Sequence, residues 1–158
     1  MGDTIPESIR RWLDEAGISY RHLHHEPTHT SEESARARGE DVRIGGKALL
    51  VKVREDFHLL VLSAALKFDS WAVKRRFEIK RMRFATVDEL YAMTGLVPGS
   101  VPPLGRPILP FDLFVDESIL ANDRIAFNAG SLTDSIIMSV RDYIRLAQPE
   151  VFSFAAQS

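Results

Sequence analysis

Cysteine is absent from this chain. Its absence excludes disulfides, thiol nucleophiles and thiolate metal sites, so any chemistry must use oxygen, nitrogen or water. Long apolar runs are missing as well: no stretch approaches the roughly 18 consecutive apolar residues of a membrane span. The N-terminal segment also lacks a basic stretch followed by an apolar one. We therefore expect a cytoplasmic protein without a membrane partner.

Several sequence motifs of common enzyme classes are missing too. There is no Gly-x-Ser-x-Gly elbow, no phosphate-binding glycine loop and no dinucleotide glycine pattern. Histidines 22, 24, 25 and 29 are close in sequence, but Glu26 is out of register with them and a metal site needs a further positioned ligand. A metal-dependent hydrolase built on these histidines is therefore the least favoured alternative, and we expect no metal and no cofactor.

The composition is typical of one globular domain. The chain has 158 residues, of which 45% are hydrophobic and 27% charged, which predicts a single domain over residues 1–158. Helical and strand patterns are mixed without a strict alternation, which indicates an α+β fold with a mixed, barrel-like β-sheet and packed helices.

Capping residues, β-rich runs and turn residues predict most of the elements. A capping residue at Thr4 and capping boxes at Thr30 and Thr86 indicate helix starts, and Glu55-Asp56 separates two β-rich runs as in a hairpin. Residues 95–110 carry three Gly and five Pro and therefore predict an ordered, irregular loop. The predicted helices are 4–16, 30–38, 70–77, 86–93 and 140–146, and the predicted strands are 18–24, 47–54, 57–63, 81–85, 111–115, 124–128 and 135–138.

Positive charge is concentrated in the middle of the chain. Residues 41–110 hold 12 basic and 7 acidic side chains, whereas residues 111–158 hold 3 and 7. Six cations fall within ten positions, and we call them the basic run: Lys74, Arg75, Arg76, Lys80, Arg81 and Arg83. Such a run is either a solvated face or a surface that binds the phosphates of a nucleic acid.

Three segments could form a small-molecule site. Lys47 follows two glycines at the start of an apolar strand and could present its ammonium to an anion, although spacing alone also fits a lysine that merely reaches into water. The glycines and prolines around Gly99 would give a stiff backbone that can line a ligand, or a surface turn. The segment from Asn128 to Ser131 could direct backbone N–H groups toward a carbonyl oxygen, but its Asn-x-Gly pattern is also typical of a hairpin turn.

Taken together, these segments resemble the YbaK/ProX family, the domain shared with the editing insertion of prolyl-tRNA synthetases. The resemblance runs from His25 to Leu146 and rests on four ordered motifs. These are His25-Glu-Pro-Thr with Thr30-Ser-Glu-Glu-Ser-Ala, Gly-Lys47-Ala-Leu-Leu-Val, Gly99-x-x-x-Pro103-Leu-Gly105, and Phe127-Asn-Ala-Gly130-Ser before Met138-Ser-Val-x-Asp-Tyr-Ile.

The resemblance implies trans-editing, in which a deacylase hydrolyses the ester of mischarged tRNA, most often tRNA-Pro carrying a small non-cognate amino acid. Lys47 would then be the essential lysine and the basic run the tRNA-binding surface. Leu132 stands where relatives often place a histidine, a departure that bears on amino-acid specificity. The implied substrate-binding residues are His25, Gly99, Pro103, Gly105, Asn128, Gly130 and Ser131.

Two functions remain open from the sequence. One is ester hydrolysis, in which the site holds water near the ester, donors stabilise the oxyanion, and a ribose hydroxyl assists proton transfer. The other is an inactive module of the same fold that binds tRNA or docks a synthetase, such as prolyl-tRNA synthetase, through the basic run. Retention of Lys47 with Gly99, Pro103 and Gly130 favours the enzyme.

Overall fold

Residues 3–157 are described by a computed structural model of the chain. Helices alternate irregularly with strands along the sequence. The helices are α1 Ile5–Glu15, α2 Ser31–Arg38, α3 Ser70–Phe77, α4 Val87–Thr94, α5 Glu117–Leu120 and α6 Val140–Ala147, with a 3₁₀ turn at Val42–Ile44. The strands are β1 Tyr20–His24, β2 Gly46–Val53, β3 Asp56–Ser63, β4 Lys67–Phe68, β5 Arg83–Phe84, β6 Asp112–Val115, β7 Arg124–Asn128, β8 Asp134–Ser139, β9 Glu150–Val151 and β10 Ala155–Ala156.

The predicted helix starts are confirmed by their capping geometry. Each of Thr4, Thr30 and Thr86 accepts a hydrogen bond from the backbone N–H of the third helical residue, and the glutamate at that position bonds back to the threonine N–H. These reciprocal bonds satisfy donors that a helix start would otherwise leave unpaired. At the other end of α2, Gly39 adopts a φ of 70°, which permits the left-handed cap that ends the helix.

The strands form a mixed five-stranded sheet and a smaller antiparallel one. The larger sheet has the order β5-β2-β3-β6-β9, in which β2 and β3 form the predicted hairpin and β6 runs parallel to β3. The smaller sheet has the order β1-β8-β7, and the short strands β10 and β4 pair separately. The main core lies against both larger sheets and includes Ile9, Leu59 and Phe127, all essentially inaccessible to solvent.

The two larger sheets meet where β2 begins. Gly45 forms a parallel bridge with Ala126 of β7, and a Cβ at Gly46 would lie only 2.8 Å from Ile125 Cδ1. A side chain at position 46 would therefore push the sheets apart. This close approach fixes the start of β2, with Lys47, against β7.

The α+β class and the mixed sheet are confirmed. The barrel-like closure is not seen in residues 3–157, because the strands separate into three open sheets. The short elements β4, α5, β9 and β10 were not predicted, since two to four residues carry too little periodicity to indicate a structure. In the described part of the chain no helix is long and apolar enough to span a membrane.

Candidate active site

A cavity of about 260 Å³ opens where the two larger sheets meet. Its wall is formed by the loop before α2, one face of α2, the start of β2, the loop after α4 and the end of β7. This volume lies below the ~300–1,000 Å³ of typical small-molecule sites, so the cavity suits a small group. Among the described residues it is lined by Thr28, His29, Thr30, Ser31, Ser34, Arg38, Gly45, Gly46, Lys47, Ala48, Leu49, Ala64, Gly99, Val101 and Asn128.

Lys47 lies at the rim of this cavity. It is the second residue of β2, paired in register with Leu62 of β3, and it is exposed. The strand pairing fixes its backbone, while the ammonium remains free to meet an anion that enters the cavity. No carboxylate lines the cavity among the described residues, so Lys47 and Arg38 make it electropositive.

Arg38, Asn128 and Gly99 are connected across the cavity floor. Arg38 Nη2 donates to Asn128 Oδ1 at 3.1 Å, and Asn128 Nδ2 donates to the Gly99 carbonyl oxygen at 2.7 Å. Arg38 Nε also donates to the hydroxyl of Ser135 at 2.9 Å. Burial lowers the pKa of Arg38 to about 10, which still leaves the guanidinium charged at neutral pH.

His25 reaches this network from the end of β1. Its Nδ1 lies 2.8 Å from the Glu26 carbonyl oxygen and its Nε2 lies 2.8 Å from Ser135 Oγ. Since a carbonyl oxygen can only accept, Nδ1 carries a proton. Ser135 Oγ also lies 3.3 Å from Asn128 Oδ1, so its hydroxyl connects His25 with Asn128. His25 is thus connected to Arg38 through the Ser135 hydroxyl, to which both side chains are hydrogen-bonded. It is not among the residues that line the cavity.

Sequence reasoning missed Arg38, Thr28 and Ser34. The Ser34 hydroxyl donates to Thr28 Oγ1 at 2.8 Å, and both side chains are buried against the cavity. A signal for Arg38 did exist: it lies three and four positions after the buried Ala35 and Ser34, so it shares their face of α2. The helical spacing alone does not show that a cavity lies beneath that face.

Gly99 lies beside Leu132 at the edge of the cavity. Its φ of 88° falls in the left-handed region, and a Cβ there would lie 3.4 Å from Leu132 Cδ2. The residue that departs from the family pattern is therefore adjacent to the loop residue expected to shape the pocket.

The remaining predicted substrate-binding residues lie outside the lining of this cavity in the described part of the chain. The Pro103 carbonyl oxygen accepts from the buried Tyr143 hydroxyl at 2.6 Å, and a Cβ at Gly105 would lie 2.6 Å from the Phe111 carbonyl oxygen. These two residues pack the loop against the core, and their substrate contacts stay predictions.

Gly130 and Ser131 occupy the turn after β7. At Gly130, φ is 80° and a Cβ would lie 2.6 Å from Ile5 Cγ2, so this glycine allows α1 to pack closely. Ser131 Oγ accepts from the Thr133 N–H at 3.0 Å and shapes the turn. Their contact with substrate also stays a prediction.

The basic run divides into paired and unpaired cations. Arg83 donates two hydrogen bonds to Glu89 and lowers the pKa of that carboxyl to about 2, and Arg76 pairs with Glu150. Lys74 lies 4.8 Å from the Trp71 ring centroid. Within residues 3–157, no ion pair or hydrogen bond occupies the exposed side chains of Arg75, Lys80 and Arg81.

Two histidines converge on one carboxylate. His22 Nε2 lies 2.8 Å and His24 Nδ1 3.3 Å from Asp134 Oδ1. Desolvation acts to raise the pKa of Asp134, but hydrogen bonds from His22, His24 and Ser131 outweigh it and lower this pKa to about 2. The described residues contain no group of three or more side chains arranged to hold a metal.

Comparison with known proteins identifies the class of this domain. The sequence profile of the aminoacyl-tRNA editing domain matches residues 25–146. The chain is 33% identical over 159 residues to the multifunctional Ser/Thr-tRNA deacylase ProXp-y of Escherichia coli, covering 97% of this chain and 94% of that protein. It is 22% identical to the prolyl-tRNA editing protein ProX of Acetoanaerobium sticklandii, covering 91% of each.

The fold agrees with this class. A crystal structure proposed to be a trans-editing enzyme for prolyl tRNA synthetase superposes with a TM-score of 0.84 at 21% identity, covering 99% of both chains. The chain belongs to the YbaK/ProX family of aminoacyl-tRNA editing domains. It is an aminoacyl-tRNA deacylase, a hydrolase of the ester bond of mischarged tRNA.

Proposed function

We propose that this deacylase removes small hydroxylated amino acids, serine and threonine first, from tRNA-Pro. The observation that carries this proposal is a set of polar groups in the wall of a small cavity: Thr28 and Ser34 contribute hydroxyl groups and Asn128 contributes an amide. Thr28 Oγ1 accepts from Ser34 and donates to none of residues 3–157, so its proton can be donated to a hydroxyl on the aminoacyl side chain, whereas an apolar side chain would leave it unpaired.

The relatives support both parts of the proposal. The E. coli relative is a Ser/Thr-tRNA deacylase, which agrees with a hydroxylated amino acid. For the tRNA, the support is the ProX relative and a proline–tRNA ligase of Shouchella clausii that is 31% identical over 100 residues. That match covers 63% of this chain and 17% of the ligase. A docking contact with prolyl-tRNA synthetase and a cytoplasmic location belong to the same proposal.

The substrate would enter with its RNA end at the rim. Lys47 is exposed there and can contact the phosphate or ribose of the terminal nucleotide, while the aminoacyl group reaches the floor at Asn128. A neighbouring apolar groove of about 150 Å³ shares Gly99 with the cavity and includes the exposed Phe84. An unpaired base of the tRNA 3′ end can stack on such a surface.

Hydrolysis in this site would depend on positioning and on charge. Within residues 3–157 the lining offers no carboxylate to serve as a base, and the free ribose hydroxyl of the substrate can assist proton transfer to and from the attacking water. The cations and amide donors of the wall would stabilise the negative charge of the tetrahedral intermediate.

A deacylation screen tests this function. One tRNA-Pro transcript is charged in turn with Ala, Ser, Thr, Cys and Pro, and release of each amino acid is followed with and without the protein. We expect Ser and Thr to be released fastest and Pro most slowly. The same amino acids on tRNA-Ala test the tRNA preference, and equal rates on the two tRNAs would contradict the choice of tRNA-Pro. Faster release of Pro than of Ser would contradict the choice of amino acid.

A further inference from the structure

Arg38 is a cation without a counter-ion on the floor of the cavity. It ends α2, and burial lowers its pKa with no contribution from a neighbouring charge. Its hydrogen-bond partners, Ser135 Oγ and Asn128 Oδ1, are both neutral, and no carboxylate of residues 3–157 pairs with it. A partly buried charge that has no opposite charge beside it is costly, so a structural role alone explains it poorly.

The two neutral partners fix the orientation of the guanidinium. Nε and Nη2 are held by Ser135 and Asn128, which are themselves buried on β8 and β7. Nη1 makes no hydrogen bond with any residue of the described chain and remains accessible. A Cβ at Gly45 would lie 3.7 Å from Nη1, and Gly45 and Arg38 both line the cavity, so this nitrogen lies beside the cavity wall.

The depth of Arg38 separates its role from that of Lys47. Lys47 is exposed at the rim, where the bulky RNA end must stay, whereas Arg38 is half-buried on the floor, where the aminoacyl ester would lie. A guanidinium can only donate hydrogen bonds, so its partner in the substrate is an oxygen. It would repel the positively charged α-amino group, which must therefore point away from it.

We propose that Arg38 Nη1 binds the carbonyl oxygen of the aminoacyl ester and stabilises the negative charge that develops there. When the water oxygen adds to the carbonyl carbon, the C=O π electrons move onto the carbonyl oxygen next to Arg38. When they return, the bond to the ribose oxygen breaks, and that oxygen takes the proton that the attacking water has given up through the neighbouring free ribose hydroxyl. Arg38 keeps its own proton throughout. Asn128 and Ser135 are positioning residues that hold the guanidinium before the substrate arrives.

This inference rests on the proposed function for the path of the substrate into the cavity. Removal of a preorganised donor that faces a developing oxyanion lowers kcat by about 100- to 1,000-fold. A donor that only bound the tRNA phosphate would change KM instead, and one that only recognised a side-chain hydroxyl would affect seryl and threonyl esters alone.

The test compares Arg38→Ala and Arg38→Lys with Arg36→Ala, an exposed arginine on the same helix that does not line the cavity. Seryl- and alanyl-tRNA-Pro are both used, and melting temperatures are measured for every variant. We expect kcat of Arg38→Ala to fall about 100-fold or more on both substrates with little change in KM. Guanidinium ion at millimolar concentration should restore part of this kcat, and Arg36→Ala should match the unmodified protein.

Arg38→Lys keeps the charge and the long stem, so it tests the role even if the alanine variant folds poorly. Its single ammonium cannot make two fixed contacts and also reach the ester, and we expect its kcat to fall by a similar factor. Unchanged kcat in Arg38→Lys, a rise in KM alone, or a loss confined to seryl-tRNA would each overturn the inference. If the unmodified protein prefers another amino acid or tRNA, the proposed function fails, and the Arg38 comparison is then made on the preferred substrate.

Discussion

Asn128 and Gly99 are 29 positions apart, yet Asn128 Nδ2 donates a 2.7 Å hydrogen bond to the Gly99 carbonyl oxygen. This bond joins the end of β7 to the loop after α4 and closes one side of the cavity. The same amide accepts from Arg38 through its oxygen, so one side chain connects the loop to the cation on the floor. The loop around Gly99 is therefore held in part by a residue that is distant in the sequence.

Gly99→Ala should lower both stability and activity. A φ of 88° is unfavourable for alanine, and we expect a loss of about 1–2 kcal/mol in the free energy of unfolding. Gly95→Ala is the matched control, because Gly95 has a φ of 75° and nothing within 4 Å of a Cβ there. Both variants carry the backbone strain, but only Gly99→Ala adds a methyl group beside the cavity and Leu132. Equal deacylation by the two variants on seryl- and threonyl-tRNA would show that Gly99 serves only the turn.

Lys47→Ala should reduce kcat/KM by about 100-fold or more without unfolding the protein. The side chain is exposed and contributes little to packing, whereas its ammonium lies at the cavity rim. Lys52→Ala, further along the same strand and outside the cavity lining, is the control, and its activity should be nearly unchanged. Both variants should melt within a few degrees of the unmodified protein, which shows that they are folded. Full activity of Lys47→Ala would contradict the prediction.

Replacing Arg75, Lys80 and Arg81 together by glutamate should weaken the binding of all tRNAs alike. These are the three cations of the basic run that are unpaired among the described residues, so they are free to neutralise phosphates. Each lost phosphate contact reduces the slope of log K against log salt by about 0.7–0.9. Binding is measured at several salt concentrations, with Arg141→Glu as an exposed control outside the run. An unchanged salt slope would identify the run as a solvated face.

Protonation of the Asp134 carboxylate should lower the free energy of unfolding in acid. Its pKa is about 2 in the folded protein and 3.8 ordinarily, so the unfolded chain binds more protons between these values. The stabilisation is therefore fully present above pH 3.8 and is lost as the pH falls through about 2, a contribution on the order of 2 kcal/mol.

Urea unfolding at pH 5 and at pH 3 measures about half of this contribution, because the rest is lost only below pH 3. The free energy of unfolding of Asp134→Asn should fall less between these pH values than that of the unmodified protein. Asp123→Asn, at an exposed position, should behave like the unmodified protein. The same loss of stability in Asp134→Asn would show that the His22 and His24 contacts do not hold the carboxylate.

The amino-acid sequence by itself determined the local structure and the family. Capping boxes, the β2–β3 hairpin and the strand at 124–128 depend on neighbours close in the chain, so the sequence order shows them directly. The four motifs likewise indicated the deacylase family. They brought Lys47, Gly99 and Asn128 into consideration, and all three line one cavity.

Only the tertiary structure decided which residues share the site. Arg38 and Asn128 come from α2 and β7, 90 positions apart, and no local pattern indicates that they hydrogen-bond. Gly130, which belongs to a motif of the family, packs against Ile5, and Pro103 accepts a hydrogen bond from Tyr143 instead of lining the cavity. The physical reason is that helical spacing and strand alternation show which face of an element is buried. What lies opposite that face depends on how the two sheets pack at Gly45 and Gly46.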